Sequence, residues 1–195
     1  MNIDLPVSPE VCPFDGLARP HKARVQIRHA LIDDLPELKA LAGRHLSDEL
    51  APVDVVGRVI THNPNNLMVM CQGERLVGLW AMLMLNARGL EALLTGGIKA
   101  HDPDLTLLSA STEAPAAIYV WVIICPGTAA EGIHHMSHFL RQPLYRNANL
   151  YSRPTTDAGV RINLRRGLVP LGTSNLGLFR YVREANKPSH LQFAA

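Results

Sequence analysis

Apolar and polar positions switch between two periods along this chain, and the switch points mark its elements. Arg24 to His29, RVQIRH, alternates with period two and reads as a strand. Leu31-Ile32-Asp33-Asp34 leads into a helix with Leu35, Leu38, Leu41, Ala42 and Leu46 on one face. Asp34 and Glu37 have the spacing of a capping box, and Pro36 is tolerated in a first turn. A second helix is expected over 48–62, with Val55, Val56, Val59 and Ile60 on its apolar face and Pro52 near its start. Asn63-Pro64-Asn65-Asn66 breaks it. Leu67 to Cys71 and Leu76 to Leu85 then read as a hairpin around Gln72-Gly73-Glu74-Arg75, with Gly78 marking a bulge.

Ala117 to Ile124, AIYVWVII, is an unbroken apolar run, the pattern of a central strand buried on both faces. It stops at Pro126-Gly127, and the small residues Thr128-Ala129-Ala130 follow. Glu131-Gly132-Ile133 then begins a helix with Ile133, Met136 and Leu140 on one face. Strand, small-residue loop and helix start together make an anion site. The first main-chain N–H groups of the helix are unpaired, the helix dipole adds positive charge, and small residues admit a phosphate closely. Asn149 to Arg153 reads as a short strand. Thr156 or Asp157 caps a helix that ends at Gly167. Leu168 to Gly172 and Ser174 to Arg183 read as a closing hairpin. Residues 86–116 are far longer than most connections and read as an insertion with a short helix near Leu90–Leu94. Residues 1–23, with four prolines, are expected to form an extended arm, and residues 184–195 a patternless tail.

The 117–140 unit resembles the acyl-CoA-binding segment of the GNAT acetyltransferases. Pro126 falls on the family's proline, Gly132 on the first glycine of its helix start and Ile133 on the apolar residue after it. Ala129 stands where the family has Arg or Gln, and His134 where it has Gly or Ala. The 156–168 unit resembles the last GNAT motif, with Thr156 on its Asn, Gly159 on Ala, Ile162 on Leu, Gly167 on Gly and Leu168 on Phe. Asn163 stands where the family has a tyrosine that commonly protonates the leaving CoA thiolate. The opening strand–helix unit and the Gly-Glu-Arg hairpin are also similar, so the resemblance covers roughly residues 24–183.

The resemblance implies one α/β domain with a GNAT-like mixed, mostly antiparallel sheet flanked by helices. It implies an N-acyltransferase that moves an acyl group, acetyl in the first instance, from acetyl-CoA or another acyl-CoA to a small-molecule or peptide amine. It also implies a homodimer. Main-chain groups of Val122 and Ile124 would face the pantetheine arm. Ala129, Ala130, Gly132, Ile133 and His134 would face the pyrophosphate, with Thr156 as a further cofactor-binding position. No catalytic residue is assigned. The departures at Ala129, His134 and Asn163 feed an alternative, a catalytically inactive GNAT-like protein that binds CoA, another ligand or a protein partner without turnover.

Composition removes several other classes. A net charge of +2 without a basic run argues against a nucleic-acid partner. Hydrophobic content of 47% with 18% charged residues describes an ordinary globular domain. The Ala117 run is far shorter than the about 20 residues a helix needs to cross a bilayer. The first residues lack the basic start and apolar core of a signal peptide. Cys12, Cys71 and Cys125 have neither metal-ligand nor disulfide spacing, so a reducing, cytoplasmic location is expected. His134, His135 and His138 form an HHxxH group whose outer pair is one helical turn apart. Spacing supplies no third ligand, so no metal is expected. Tyr119, Trp121 and Ile123 are expected on one face of the central strand, and Arg161, Arg165 and Arg166 on a basic helix face.

Overall fold

The computed structural model describes residues 25–46, 50–127, 131–172 and 176–183. The expected arm and tail lie outside these residues. In chain order the elements are β1 (Gln26–His29), α1 (Leu35–Gly43), α2 (Val53–His62), β2 (Leu67–Gln72), β3 (Arg75–Leu85), α3 (Ala87–Thr95) and β4 (Ala117–Ile124). They continue with α4 (Glu131–Leu140), β5 (Asn149–Ser152), α5 (Asp157–Arg165), β6 (Val169–Pro170) and β7 (Phe179–Tyr181). The strands form one sheet in the order β1-β2-β3-β4-β5-β7-β6. Every neighbouring pair is antiparallel except β4–β5, which is parallel. This is the mixed, mostly antiparallel sheet that the sequence implies.

Side chains alternate across that sheet and build a core on each face. On one face Met68, Met70, Trp80, Met82, Met84, Ile118 and Leu150 meet Ile133, Met136 and Leu140 of α4. On the other, Val69, Leu79, Ala81 and Ile124 pack under α1 and Ile60 of α2. Further along that second face, Leu83, Leu85, Ala117, Tyr119 and Tyr151 pack with Val59 of α2 and Leu93 of α3. β2 and β3 are therefore apolar apart from Gln72 and Arg75 at their hairpin ends, because helices cover both of their faces.

Two local expectations change. Asp34 makes no side-chain capping bond at the start of α1. Its carboxylate turns back, accepting from the Leu31 N–H at 2.7 Å and from two nitrogens of Arg28 at 2.6 and 2.9 Å. A bidentate guanidinium outbids a neutral main-chain N–H for a carboxylate. α2 begins at Val53 rather than near 48, with Pro52 as its extended N-cap. A proline deeper in the helix would remove a hydrogen bond and clash with the preceding turn.

The 86–116 insertion folds back on the sheet. Asn86 organises it, accepting from Gly89 N–H at 2.9 Å and donating to the carbonyls of Thr106 and Leu108 at 2.9 and 3.2 Å. Ser109 N–H donates to Met84 O and Ala116 N–H to Leu85 O, so the insertion is pinned to the end of β3. The helix near Leu90–Leu94 is α3, closed by Gly96 at φ 81°, where a side chain is strained.

Candidate active site

β4 is paired on both sides over only half its length. Ala117 to Val120 pair with Asn149 to Ser152 of β5, and among the described residues no strand pairs on that side of Trp121 to Ile124. Ala117, Ile118 and Tyr119 are buried, Val120 to Ile123 are partly buried, and Ile124 is buried again. The parallel pairing thus ends at Val120 and leaves the β5 side of Trp121 to Ile124 as an open edge, the cleft of the sheet, among the described residues.

A bulge sits at the mouth of that cleft. Val120 pairs with Met82 of β3 and Val122 with Ala81, so Trp121 is an extra residue. The bulge overturns the expectation that Tyr119, Trp121 and Ile123 share a face. Tyr119 and Trp121 lie on the α2 face, but one extra residue shifts the alternation, and Ile123 packs on the α4 face. A smaller irregularity confirms the reading of Gly78. Met70 pairs with Gly78 and Cys71 with Leu76, leaving Val77 as the extra residue beside the glycine.

The expected cofactor-binding residues that the structure describes lie on β4, on the first turn of α4 and at the start of α5. Val122 is half-exposed on the open part of β4, and Ile124 is 4% exposed, packed under α1. Ala129 and Ala130 lie outside the described residues. Gly132 and Ile133 are buried in the first turn of α4, and His134 is exposed there. Gly132 is small for a reason the sequence does not show. A Cβ there would overlap the Met70 thioether, so the glycine makes room for a core side chain rather than for a ligand. Its main-chain N–H remains one of the first-turn donors. Thr156 caps α5, its Oγ1 accepting from Gly159 N–H at 3.1 Å. Asn163 of α5 donates to Ser152 Oγ at 2.7 Å, which ties α5 to the end of β5.

Among residues the sequence leaves without a role, Tyr145 is core, stacked on Phe139 with ring centroids 4.6 Å apart. Tyr151 is different. Its register partner across the parallel pair is Tyr119, and its partner on β7 is Arg180, so the three lie in one row on the α2 face. Burial holds the Tyr119 phenol above its ordinary pKa, with Arg153 pulling weakly the other way. Neither Arg180 nor Arg153 draws attention in the sequence, because only strand register brings them to the tyrosines. At the far side of the cleft, burial pushes the Cys125 thiol up to about 12, and its Sγ lies 3.6 Å from Met70 Sδ. His134, His135 and His138 are all exposed. Among the described residues no group of three or more His, Cys, Asp or Glu is placed to hold a metal.

No protein-family model matches the sequence, and no curated protein matches it at a significant level. Solved structures do match. The loading GNATL domain of CurA from Lyngbya majuscula superposes with a TM-score of 0.57 at 14% identity, over 82% of this chain and 98% of that one. The GphF GNAT-like decarboxylase in complex with isobutyryl-CoA gives 0.51 at 19% identity, over 74% and 72%. A GNAT-family acetyltransferase from Listeria monocytogenes 4b F2365 gives 0.51 at 12%, over 80% and 92%. The fold is the GNAT fold. At these identities the likeness reaches the architecture and stops there.

Proposed function

We propose that this chain is an acyl-CoA-dependent N-acyltransferase. The observation that carries the proposal is the half-open central strand, with its bulge at Trp121 and its parallel neighbour leaving after Val120. The fold alone does not specify a reaction, since one of the similar structures is a GNAT-like decarboxylase. The cleft supplies the missing argument. It exposes main-chain groups of Trp121 to Ile124 to an extended ligand arm, and it connects the α4 face with the α2 face. A pantetheine arm fits such an edge by adding hydrogen bonds where β5 has left, as an added strand would.

On the α4 side, the first-turn N–H groups at Gly132 and Ile133 and the exposed imidazole of His134 would hold the pyrophosphate. The charge of the last part of the described chain is compatible with it. From Asn149 to Arg183 the only carboxylate is Asp157, against Arg153, Arg161, Arg165, Arg166, Arg180 and Arg183. On the α2 side, an amine positioned beneath Trp121 attacks the thioester carbonyl. A C–N bond forms, the C–S bond breaks, the sulfur takes a proton and leaves as the thiol, and the nitrogen loses its extra proton to solvent. Positioning two reactants in this way accounts for a large part of such an acceleration. Asn163 cannot donate the proton. We assign that task to Tyr119, which lies on the paired part of β4 just before the cleft and is kept protonated by burial.

Calorimetry with CoA and acetyl-CoA tests the reading. The full chain is expected to bind both saturably. His134→Glu is expected to weaken binding by at least about tenfold while leaving the melting temperature unchanged, since an exposed acid at a helix start repels phosphate yet suits the dipole. Absence of binding to either ligand would remove the proposal. A second reading, binding without turnover, is favoured by the Asn163–Ser152 bond at 2.7 Å, which occupies the family's acid position structurally. It predicts CoA binding with no acyl transfer to any amine and no effect of Tyr119→Phe.

A further inference from the structure

On the α2 face, Tyr119 begins a row whose other members, Tyr151 and Arg180, the transfer chemistry does not use. Parallel register places Tyr151 beside Tyr119, and antiparallel register places Arg180 on the far side of Tyr151. Adjacent strands are about 4.8 Å apart, so the row runs from the last paired rungs of β4 to Arg180 in about 10 Å. Leu178, Leu176 and Leu171 wall it with apolar surface. Arg153 follows β5 on the same face, its side chain reaching the turn at Gly177.

Arg180 is the unusual member. Its Nε is buried and has no hydrogen-bond partner among the described residues. It has no carboxylate partner there either, since the ion pairs among the described residues are Arg28–Asp34 and Arg58–Asp102. The residue as a whole is half-buried. Tyr151, its neighbour in the row, is 2% exposed. A half-buried guanidinium without an acceptor is costly, and a planar fork beside a phenol matches a carboxylate best.

We propose that Arg180 and Tyr151 bind a carboxylate of the substrate on the α2 face, and so select substrates that carry one near the reacting carbonyl. Arg180 donates its paired N–H groups to the two carboxylate oxygens, and the Tyr151 hydroxyl donates a third hydrogen bond. Arg153 adds positive charge from the same side. The carboxylate belongs either to the amine acceptor, as in an amino acid, or to the acyl group, as in a dicarboxylic monothioester. Both present the same group to the same fork. This inference deepens the acyl-transfer reading and rests on it.

Two arms of one experiment identify the source. Alanine, leucine and phenylalanine are compared with ethylamine, isoamylamine and phenethylamine as acceptors, using acetyl-CoA. Malonyl-CoA and succinyl-CoA are compared with acetyl-CoA for binding by calorimetry. In parallel, binding of the six acceptors to CoA-saturated protein is followed by fluorescence of Trp121, which lies at the cleft. One arm is expected to show a preference of at least about 30-fold for the carboxylate-bearing member, the order of one charge-assisted bond set. Arg180→Gln is expected to bring that ratio to within about threefold while binding of CoA itself is unchanged. Arg180→Lys, which keeps the charge but not the fork, is expected to fall between. Tyr151→Phe checks the second donor, with an expected loss of several-fold in the same ratio. Absence of a preference in both arms and in fluorescence, or a preference that survives Arg180→Gln, overturns the proposal. Loss of CoA binding by the unaltered chain sinks the acyltransferase reading instead, so the two failures are distinguishable.

Discussion

Single residues in this chain often serve a purpose other than the one their type suggests. Cys125 follows the open end of β4, where a reactive thiol would be a natural suspicion, yet burial raises its pKa to about 12 and its neighbour is the Met70 thioether. A folded pKa above the ordinary value favours the neutral thiol. Its stabilising effect is complete below about pH 9 and is lost as pH rises from there toward 12. Cys125 is therefore expected to resist iodoacetamide in the native chain at pH 8 and to react fully in denaturant. Stability measured by denaturant titration is expected to fall above pH 9, with a shallower slope in Cys125→Ala. Gly132 teaches a related lesson. It matches a phosphate-loop glycine in sequence, but in the structure a side chain there meets Met70. Gly132→Ala is expected to lower stability by about 1–3 kcal/mol in chemical denaturation through overpacking.

Elements in this domain are set by short-range pattern, and their exact edges by hydrogen bonds the pattern does not display. The apolar faces of α1 and α2 are legible because helical spacing writes them directly into the chain. Asp34 looked like a helix cap but pairs with Arg28, a residue on a neighbouring strand end whose position only the turn determines. The insertion shows the same division. Its short helix was legible from 90 to 94, whereas its fixation depends on one side chain, Asn86, that bonds Gly89, Thr106 and Leu108 at once. Asn86→Ala is expected to cost about 1–2 kcal/mol through loss of the cap and both cross-links. In hydrogen exchange it is expected to release the amides of α3 and residues 105–108 while those of β2 and β3 keep their protection.

Across the whole molecule, covering helices on both faces make the middle of the sheet its most stable part, and the cleft is the planned exception. Amides of Leu79 to Leu85 in β3 and Ala117 to Val120 in β4 are expected to exchange slowest. Those of Trp121 to Ile124 that face the missing strand are expected to exchange faster, and CoA is expected to slow them. Equal protection along the whole of β4 without ligand would contradict an open edge. The same large-scale view places the charge. Arg180 looks like a scattered surface residue in the chain, and strand register places it beside Tyr151.

The sequence by itself determined the element order, the central strand and the helix that follows it, because periodicity and turn residues act within a few positions of one another. It also pointed to a class of site, since a strand running into small residues and a helix start leaves main-chain N–H groups suited to an anion. The tertiary structure alone decided which side chains face that site. The extra residue at Trp121 turns Ile123 to the opposite face, and nothing in an unbroken apolar run announces a bulge. The row of Tyr119, Tyr151 and Arg180 is assembled by register between strands that lie far apart in the chain. Pairing partners of that kind are fixed by packing of the whole sheet, and so they become visible only when the sheet is formed.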